Sequence, residues 1–412
     1  RRDSHVRGRE WWRVKRRALL AACGATLSAG CAGWSPLGGP VGSGCELAEE
    51  VPGDAEWGAP RGGPRHTASA PADRTPAPPL SVSWMFPIPN VMGTPTPTVA
   101  DGTAFVTDLD GTAFALDAET GDQRWETGVV DIESGVTVGD GLAVVTSDAG
   151  VVALDADDGA KRWVADVSPA YEARPVVAGG SVYVPSDHGV VALDADDGTE
   201  RWRYVTGLKT GASPAVADGT VFVGNDDAYV YALDAATGDR RWRFKTRGKI
   251  ACSPAVAGGT VYAGSREGRV YALDAETGER RWSRGVVRSV HGVEDLAVGH
   301  GNVYVGTDER LHAVGRESGE ECWRSGRYVG RYSGGPAVGD GLVYASTDRG
   351  GGDTDLHETS LGAFDAGTGE LVWRLDARGD RQVDIGPAIA DGALFGGGRA
   401  AGSLAVARLG PR

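Results

Sequence analysis

Asparagine, lysine, methionine and cysteine are scarce in this chain of 412 residues, which has two methionines and five cysteines. Asparagine occurs only at Asn90, Asn225 and Asn302. No two cysteines are adjacent, and no Ser-His-Asp or zinc-ligand spacing stands out. A bridge between Cys252 and Cys322 is improbable, because a disulfide spans only a short distance. The residues therefore point to no familiar catalytic or metal centre.

Long hydrophobic runs and helical periodicity are also missing. Gly or Asp-Gly interrupts the apolar pattern about every ten residues, and no run keeps the 3.6-residue period of a helix. The apolar run of residues 18–30 is too short to span about 30 Å of hydrocarbon. These absences exclude a helical bundle and leave short strands as the expected structure.

The first 30 residues have the composition of a targeting segment. They carry eight Lys or Arg and two acids, and Lys15-Arg16-Arg17 precedes the apolar run, which resembles a twin-arginine export signal. The run ends in Leu27-Ser-Ala-Gly-Cys31, which resembles a lipobox with Cys31 as the lipid-modified residue. The alternative is an ordinary cysteine near a processing site. We expect residues 1–30 to be the signal and the lipid on Cys31 to anchor the protein at the outer face of the cytoplasmic membrane.

Residues 31–56 are rich in Gly, Pro and Ala and predict a flexible tether, which leaves residues 57–412 for the folded domain. The formal net charge is −14, and without residues 1–30 the chain has 34 basic and 54 acidic residues, a net charge of about −20. Nucleic acid is therefore an unlikely partner. The excess of Asp, Glu and Arg over Lys is typical of a salt-loving archaeon with a GC-rich genome.

A repeated phrase organises most of the chain. The frame Ala-x-Asp-x-x-x-Gly-x-x-x-Trp recurs, and in one copy Gly315 takes the place of Asp. The repeats end at Trp125, Trp163, Trp202, Trp242, Trp282, Trp323 and Trp373. Their intervals are 38, 39, 40, 40, 41 and 50 residues, and a nearly fixed period in this range indicates a solenoid or propeller.

Each repeat predicts four short strands, as residues 214–244 illustrate. A tight turn at Asp218-Gly219 joins the first two strands, and Asp234-Ala-Ala-Thr-Gly238 joins the last two. The middle strands are apolar on both faces, which is expected of a small sheet held between two other sheets. The sequence therefore favours an all-β propeller of four-stranded antiparallel blades.

The two ends of the array indicate eight blades. The C-terminal repeat lacks a final Trp strand, whereas Leu80-Ser-Val-Ser-Trp84 precedes the first full repeat, and Trp84 lies 41 residues before Trp125. We expect the N-terminal strand to pair with the C-terminal blade, which removes exposed sheet edges.

The repeated Ala-Leu-Asp-Ala-Glu-Thr-Gly-x-x-x-Trp phrase resembles the pyrroloquinoline-quinone-like β-propeller repeat. That repeat occurs in quinoprotein dehydrogenases and in the propeller lipoprotein of the outer-membrane β-barrel assembly machine, and both are eight-bladed. The resemblance implies that each Trp packs against the turn of the next blade, so that Trp84 and the seven repeat tryptophans form a structural girdle. It is specific for the fold and says little about activity.

Function is expected on the face where the repeats differ. Turns one and three are almost the same in every repeat, whereas the second turn and the connection between blades vary, and sites are commonly carried on such loops. The connections supply the candidate binding residues Asp131, Glu133, Glu172, Lys209, Lys249, His291, Arg331, Tyr332 and Asp384. They predict a basic arc facing an acidic arc, unless the charges are simply solvated.

An enlarged second turn at residues 348–358 contains acids and His357 that could hold Ca²⁺, although such a Gly-rich loop is usually just mobile. A quinoprotein dehydrogenase would, as the resemblance implies, need adjacent cysteines and a Glu, Asn and Asp set at a Ca²⁺ ion. These are not found. We expect a monomeric, non-catalytic propeller that binds a protein partner and uses no cofactor, with a quinone-dependent dehydrogenase and a small-molecule-binding surface sensor as alternatives.

Overall fold

The computed structural model describes Leu47 and residues 62–89, 97–108, 110–129, 132, 134–147, 150–170, 174–250, 252–288, 291–307, 310–326, 335–348, 359–375, 381–383, 387–400 and 403–411. Within these ranges the regular structure is β-strand, apart from one short 3₁₀ helix, η1 (Ala72–Arg74). The predicted signal, Cys31 and, except for Leu47, the predicted tether lie outside the described residues. The all-β prediction is confirmed.

The strands form eight sheets, each corresponding to one blade. Two strands precede the first blade, β1 (Ser69–Ala70) and β2 (Leu80–Pro87). Blade 1 contains β3 (Thr98–Ala100), β4 (Thr103–Thr107), β5 (Thr112–Asp117) and β6 (Gln123–Gly128). Blade 2 contains β7 (Thr137–Gly139), β8 (Leu142–Ser147), β9 (Gly150–Asp155) and β10 (Lys161–Ala165). Blade 3 contains β11 (Val176–Ala178), β12 (Ser181–Ser186), β13 (Gly189–Asp194) and β14 (Glu200–Val205).

The remaining blades repeat this order. Blade 4 contains β15 (Ala215–Ala217), β16 (Thr220–Gly224), β17 (Tyr229–Asp234) and β18 (Arg240–Lys245). Blade 5 contains β19 (Ala255–Ala257), β20 (Thr260–Gly264), β21 (Arg269–Asp274) and β22 (Arg280–Gly285). Blade 6 contains β23 (Val293–Gly299), β24 (Asn302–Thr307), β25 (Leu311–Gly315) and β26 (Glu321–Arg324). Blade 7 contains β27 (Ala337–Gly339), β28 (Leu342–Asp348), β29 (Thr359–Asp365) and β30 (Leu371–Arg374).

Blade 8 is shared between the two ends of the described chain. It contains β31 (Arg381–Val383) and β32 (Ala388–Ala390), which both pair with β33 (Ala393–Ala400), and then β34 (Ser403–Pro411). Its outermost strand is β2, which runs antiparallel to β34 from the pair Leu80–Pro411 to the pair Pro87–Ala405. The predicted eight-bladed propeller, closed by the N-terminal strand, is confirmed.

The burial of each strand follows from its place in a blade. The middle strands β8 and β9 are buried almost throughout, whereas the outer strand β6 buries only Trp125. First strands of neighbouring blades, such as β7 and β11, lie close to one another and so surround the axis. The packed sheets bury apolar side chains on both faces, which accounts for the lack of polar alternation in the middle strands.

Tryptophan side chains join each blade to the next. The indole N–H groups of seven tryptophans donate to a carbonyl oxygen in the third turn of the following blade, at distances of 2.8–3.3 Å. Gly238 has φ +75°, and a Cβ there would lie 2.6 Å from Cδ2 of Trp202, so the turn needs glycine for both reasons. Trp373 is partly buried against the core and faces blade 8, whose outer strand comes from β2.

The third turns are also held by their own side chains. In blade 4, Asp234 Oδ1 accepts the N–H groups of Ala236 and Thr237, both at 3.0 Å, and Oδ2 accepts Arg241 at 2.7 Å. The same Arg–Asp pair recurs in blades 1, 2, 3 and 5. These hydrogen bonds explain why Asp and Gly recur in this turn, and they require no ligand.

Candidate functional site

Two faces of the propeller must be distinguished. The repeated-turn face carries turns one and three of each blade, and the variable face carries the second turns and the connections between blades. Of the candidate binding residues, Lys209, Lys249 and His291 are described, and they lie in the connections that lead to blades 4, 5 and 6. The remaining candidates, Asp131, Glu133, Glu172, Arg331, Tyr332 and Asp384, lie outside the described residues.

Asn225 organises the variable face at blade 4. Its side chain is fully buried and its Nδ2 donates to Thr206 Oγ1, to the Leu208 carbonyl and to Thr210 Oγ1, at 2.8, 2.9 and 3.2 Å. Its Oδ1 accepts the N–H of Asp227, and its carbonyl oxygen accepts the N–H of Ile250. The side-chain amide therefore fixes the second turn of blade 4 to the connection before it, and the main-chain carbonyl fixes it to the connection after it.

This network brings two of the predicted basic residues to one acid. The N–H of Asp226 donates to the Lys209 carbonyl at 3.2 Å, and Lys249 Nζ lies 3.0 Å from Asp226 Oδ2. Lys249 and Asp226 form a partly exposed ion pair, which is worth little in free energy but lowers the local net charge. The described part of the predicted basic arc is thus partly neutralised from within blade 4.

Apolar and aromatic side chains lie beside these charges. Val205 is 66% exposed and Leu208 is 50% exposed, and both lie at the end of β14 or in the connection that follows it. Tyr204 packs against Tyr231 with ring centroids 5.7 Å apart, and Lys245 Nζ lies 4.3 Å from the centroid of Tyr229. Large exposed apolar side chains near aromatic and basic ones are typical of protein-binding surfaces.

The tyrosine–acid contact of blade 4 is tight. Tyr231 Oη donates to Asp227 Oδ2 at 2.5 Å. Burial and the Asp227 carboxylate raise the pKa of the Tyr231 hydroxyl, so it stays protonated and keeps donating. The contact fixes the Asp227 side chain beside the second turn.

The N-terminal segment of residues 64–74 covers the first strands on the repeated-turn face. Four of its carbonyl oxygens accept one N–H each from the first strands of blades 4, 5, 6 and 7, at Val216, Val256, Val298 and Val338. Arg65 forms a two-pronged ion pair with Asp218 in the first turn of blade 4. β1 also pairs with β27 in parallel. The first strands of blades 4 to 7 are thus covered by this segment at the repeated-turn face.

The other features singled out in the sequence form no further site in the described part of the chain. No group of three or more His, Cys, Asp or Glu side chains there could hold a metal ion. Cys252 is a buried thiol whose Sγ accepts the N–H of Gly264 at 3.1 Å, and it forms no bridge to Cys322. The enlarged second turn of blade 7 lies outside the described residues. No described helix is long and apolar enough to cross a membrane.

Sequence reasoning missed Asn225 and Arg174. Asn225 lies at the end of the second strand of its blade, directly after β16, where other blades carry small polar residues, including Ser147, Ser186 and Ser265. Each of these serines bridges to the connection that leads to its own blade. A repeated polar residue in an otherwise apolar strand was therefore a usable indication. Arg174 offers no such pattern, because its repeat equivalents Ser213 and Ser253 are uncharged.

Comparison with known families identifies the domain. The family model described as "Outer membrane protein assembly factor BamB" matches residues 65–131, 81–208, 186–351 and 266–405. The chain belongs to this family. The predicted resemblance is confirmed, and it extends over most of the described propeller.

Solved structures show the same fold. BamB from Moraxella catarrhalis superposes with a TM-score of 0.64 at 20% identity, covering 80% of this chain and 99% of that one. Quinohemoprotein alcohol dehydrogenase from Comamonas testosteroni gives a TM-score of 0.69 at 16% identity, covering 89% and 81%. A computationally designed protein, Ika8, gives 0.63 at 17% identity. A search of curated protein sequences gave no match. These identities establish the fold alone.

Proposed function

We propose that this BamB-family propeller is a non-catalytic scaffold that binds a protein partner through the variable face of blades 3 to 5. The observation that carries the proposal is the Asn225 network, which holds the connection with exposed Leu208 and Lys209 in one arrangement. A loop that is ordered before binding loses less conformational entropy when the partner arrives.

The composition of this surface supports a protein partner over a small molecule. It combines exposed aliphatic side chains with a lysine and with tyrosines and an arginine, residue types that are enriched at protein interfaces. A small-molecule-binding surface sensor would need an enclosing pocket.

The test uses the full chain as bait for proteins crosslinked from native membranes. Leu208→Glu combined with Lys209→Glu should remove a partner that the wild type captures, because both side chains are exposed and the changes spare Asn225. The matched control is Glu119→Lys combined with Glu276→Lys, two exposed positions on the repeated-turn face, which should leave capture unchanged. Equal capture by both variants would place the interface elsewhere.

A quinone-dependent dehydrogenase is the second candidate, favoured by the dehydrogenase neighbours in fold. The residues fit the quinone and its Ca²⁺ poorly. Asn225 is buried with its side-chain amide already bonded, and Asn302 starts β24 next to Cys322. Adding pyrroloquinoline quinone and Ca²⁺ to the purified protein, followed by a search for a bound chromophore and dye reduction, tests this reading. Both readouts should be negative.

The cellular setting is part of the proposal. The motifs of residues 15–31 support export through the twin-arginine route, a lipid on Cys31 and a position on the outer face of the cytoplasmic membrane. The charge composition supports a salt-loving archaeal source. Cys31→Ser should release the protein from membranes with its melting temperature unchanged. Retention of that variant on washed membranes would contradict a lipid anchor.

A further inference from the structure

The seam between blades 2 and 3 contains a buried positive charge. Nη1 of Arg174 is buried and has no hydrogen-bond partner, and no ion pair joins Arg174 to an acid in the described part of the chain. Burial lowers the pKa of the guanidinium to about 10, so it remains charged at neutral pH. A buried charge without a counter-charge is costly, and a neutral water could not balance it.

The guanidinium lies against blade 2. A Cβ on Gly135 would lie 2.5 Å from Arg174 Cζ, and a Cβ on Gly139 would lie 2.9 Å from Val177 Cβ. Positions 135 and 139 therefore both face blade 3. Because side chains alternate along a strand, Thr137, midway between them, faces blade 3 as well.

Two buried hydroxyls share this seam with Arg174. Thr137 pairs with Val144, which packs in one cluster with Val177 of blade 3, and Thr146 lies two residues farther along the same strand. Thr146 is thus on the face towards blade 3, and its N–H donates to Ser134 Oγ, next to Gly135. Oγ1 of Thr137 and Oγ1 of Thr146 are both buried without a hydrogen-bond partner.

Thr98 is the residue of blade 1 equivalent to Thr137, and its hydroxyl is hydrogen-bonded to the next blade. Thr98 Oγ1 donates across to the Val136 carbonyl of blade 2 at 2.7 Å. Thr137 holds the same place in blade 2, yet its hydroxyl makes no such bond to blade 3. One charged and two hydroxyl donors are therefore directed into the same seam, and none of these three atoms has a hydrogen-bond acceptor.

We propose that a small monovalent anion, a halide or a carboxylate, binds in the seam between blades 2 and 3. The Arg174 guanidinium balances its charge, and the hydroxyls of Thr137 and Thr146 donate to it. Arg174 ends the connection that leads to blade 3, so the site lies at the variable-face end of the seam. The proposal is independent of the protein partner proposed above.

The first experiment measures the melting temperature of the full chain at constant ionic strength. Chloride, bromide or acetate replaces gluconate, a larger carboxylate that serves as the reference anion. Because a ligand that binds only the folded state stabilises it, the melting temperature should rise by several degrees, in proportion to the logarithm of the anion concentration once this exceeds the dissociation constant. A rise in melting temperature with chloride or bromide would identify the bound anion as a halide, and a rise with acetate would identify it as a carboxylate. No rise with any of them would overturn the proposal.

Variants assign the effect to the seam. Arg174→Met should abolish the anion-dependent rise, and Thr137→Val with Thr146→Val should shift its onset to at least tenfold higher anion concentration. Arg201→Met, which removes an exposed arginine of blade 3 paired with Asp194, is the matched control and should keep the full rise. The same rise in Arg174→Met as in the wild type would contradict the site.

A direct measurement keeps the proposal testable if Arg174→Met fails to fold. Crystals of the wild type grown in bromide should show an anomalous peak within hydrogen-bond distance of Arg174, and the double threonine variant should lose most of its height. If acetate is the stabilising anion, planar density should replace the peak. A seam that holds neither would refute the proposal.

Discussion

The two faces of this propeller are built from the same strands but stabilise their loops in different ways. On the repeated-turn face, the third turns of blades 1 to 5 are closed locally, as in blade 4, where an Asp accepts backbone N–H groups two and three residues away and pairs with an Arg seven residues along the chain. On the variable face at blade 4, Asn225 reaches 15 to 19 residues along the chain to hold a connection.

This difference separates stability from function. The repeated turns receive the tryptophan of the preceding blade, and the same contact recurs around the ring, so a change there affects blade packing. The variable loops are supported by contacts that differ from blade to blade, so they can diverge without disturbing the ring. The predictions below test this separation, beginning with the closure on which both faces depend.

Deletion of residues 80–87 removes β2 and should have the largest effect. Blade 8 would lose its outer strand, and the buried edge of β34 would be exposed to solvent and to other chains. We expect aggregation or loss of a cooperative melting transition in calorimetry. A soluble deletion variant with the parent's melting curve would contradict closure by β2.

Trp242→Ala tests the repeated-turn face. It removes a buried aromatic side chain that contacts Gly278 and donates to the Ala275 carbonyl, and we expect the free energy of unfolding to fall by about 3–5 kcal/mol. Partner capture should persist at temperatures where the variant is folded. Chemical denaturation measures the first effect, and loss of capture by the folded variant would break the separation of the two faces.

Asn225→Ala tests the variable face and should have a smaller effect on stability. The hydroxyls of Thr206 and Thr210 lose a donor, and the buried polar groups left behind cost about 1–3 kcal/mol. We expect the loss of capture to be large compared with the loss of stability, because the connection that carries Lys209 loses its side-chain support, whereas the main-chain bond from Ile250 to residue 225 remains. Ser265→Ala, the equivalent change in blade 5, provides a comparison, and a larger loss of capture there would move the interface towards blade 5.

Acid should slightly destabilise the third turns of the repeated-turn face, because their Asp carboxylates become protonated. The Arg124 hydrogen bond and the N–H of Thr120 lower the pKa of Asp117 from 3.8 to about 2, and Arg281 does the same for Asp274. A lowered pKa in the folded state contributes stability above pH 3.8, and this contribution is lost as the pH falls towards 2. Arg281→Gln should raise the pKa of Asp274 in carbon NMR titrations, and an unchanged titration would contradict the pairing.

The sequence determined the repeat, the strand order, the eight blades and the closure, because these follow from local patterns. The signals are Asp-Gly turns, a tryptophan about every 40 residues, and a turn glycine that leaves room for the indole ring. They act within one repeat or between adjacent repeats, so their spacing specifies the packing. The prediction that Leu80–Trp84 supplies the missing outer strand of the last blade used the same period.

Tertiary structure alone decided the candidate sites. Asn225 is an isolated residue in the sequence, and only folding places Thr206, Leu208 and Thr210 around its amide. Lys249 is a basic residue in the sequence and half of an ion pair with Asp226 in the fold. Arg174 is an exposed-looking charge in the sequence, and only the packing of blade 3 on Gly135 leaves its Nη1 buried without a hydrogen-bond partner among the described residues. Burial and charge pairing depend on neighbours from other repeats, which no pattern within one repeat encodes.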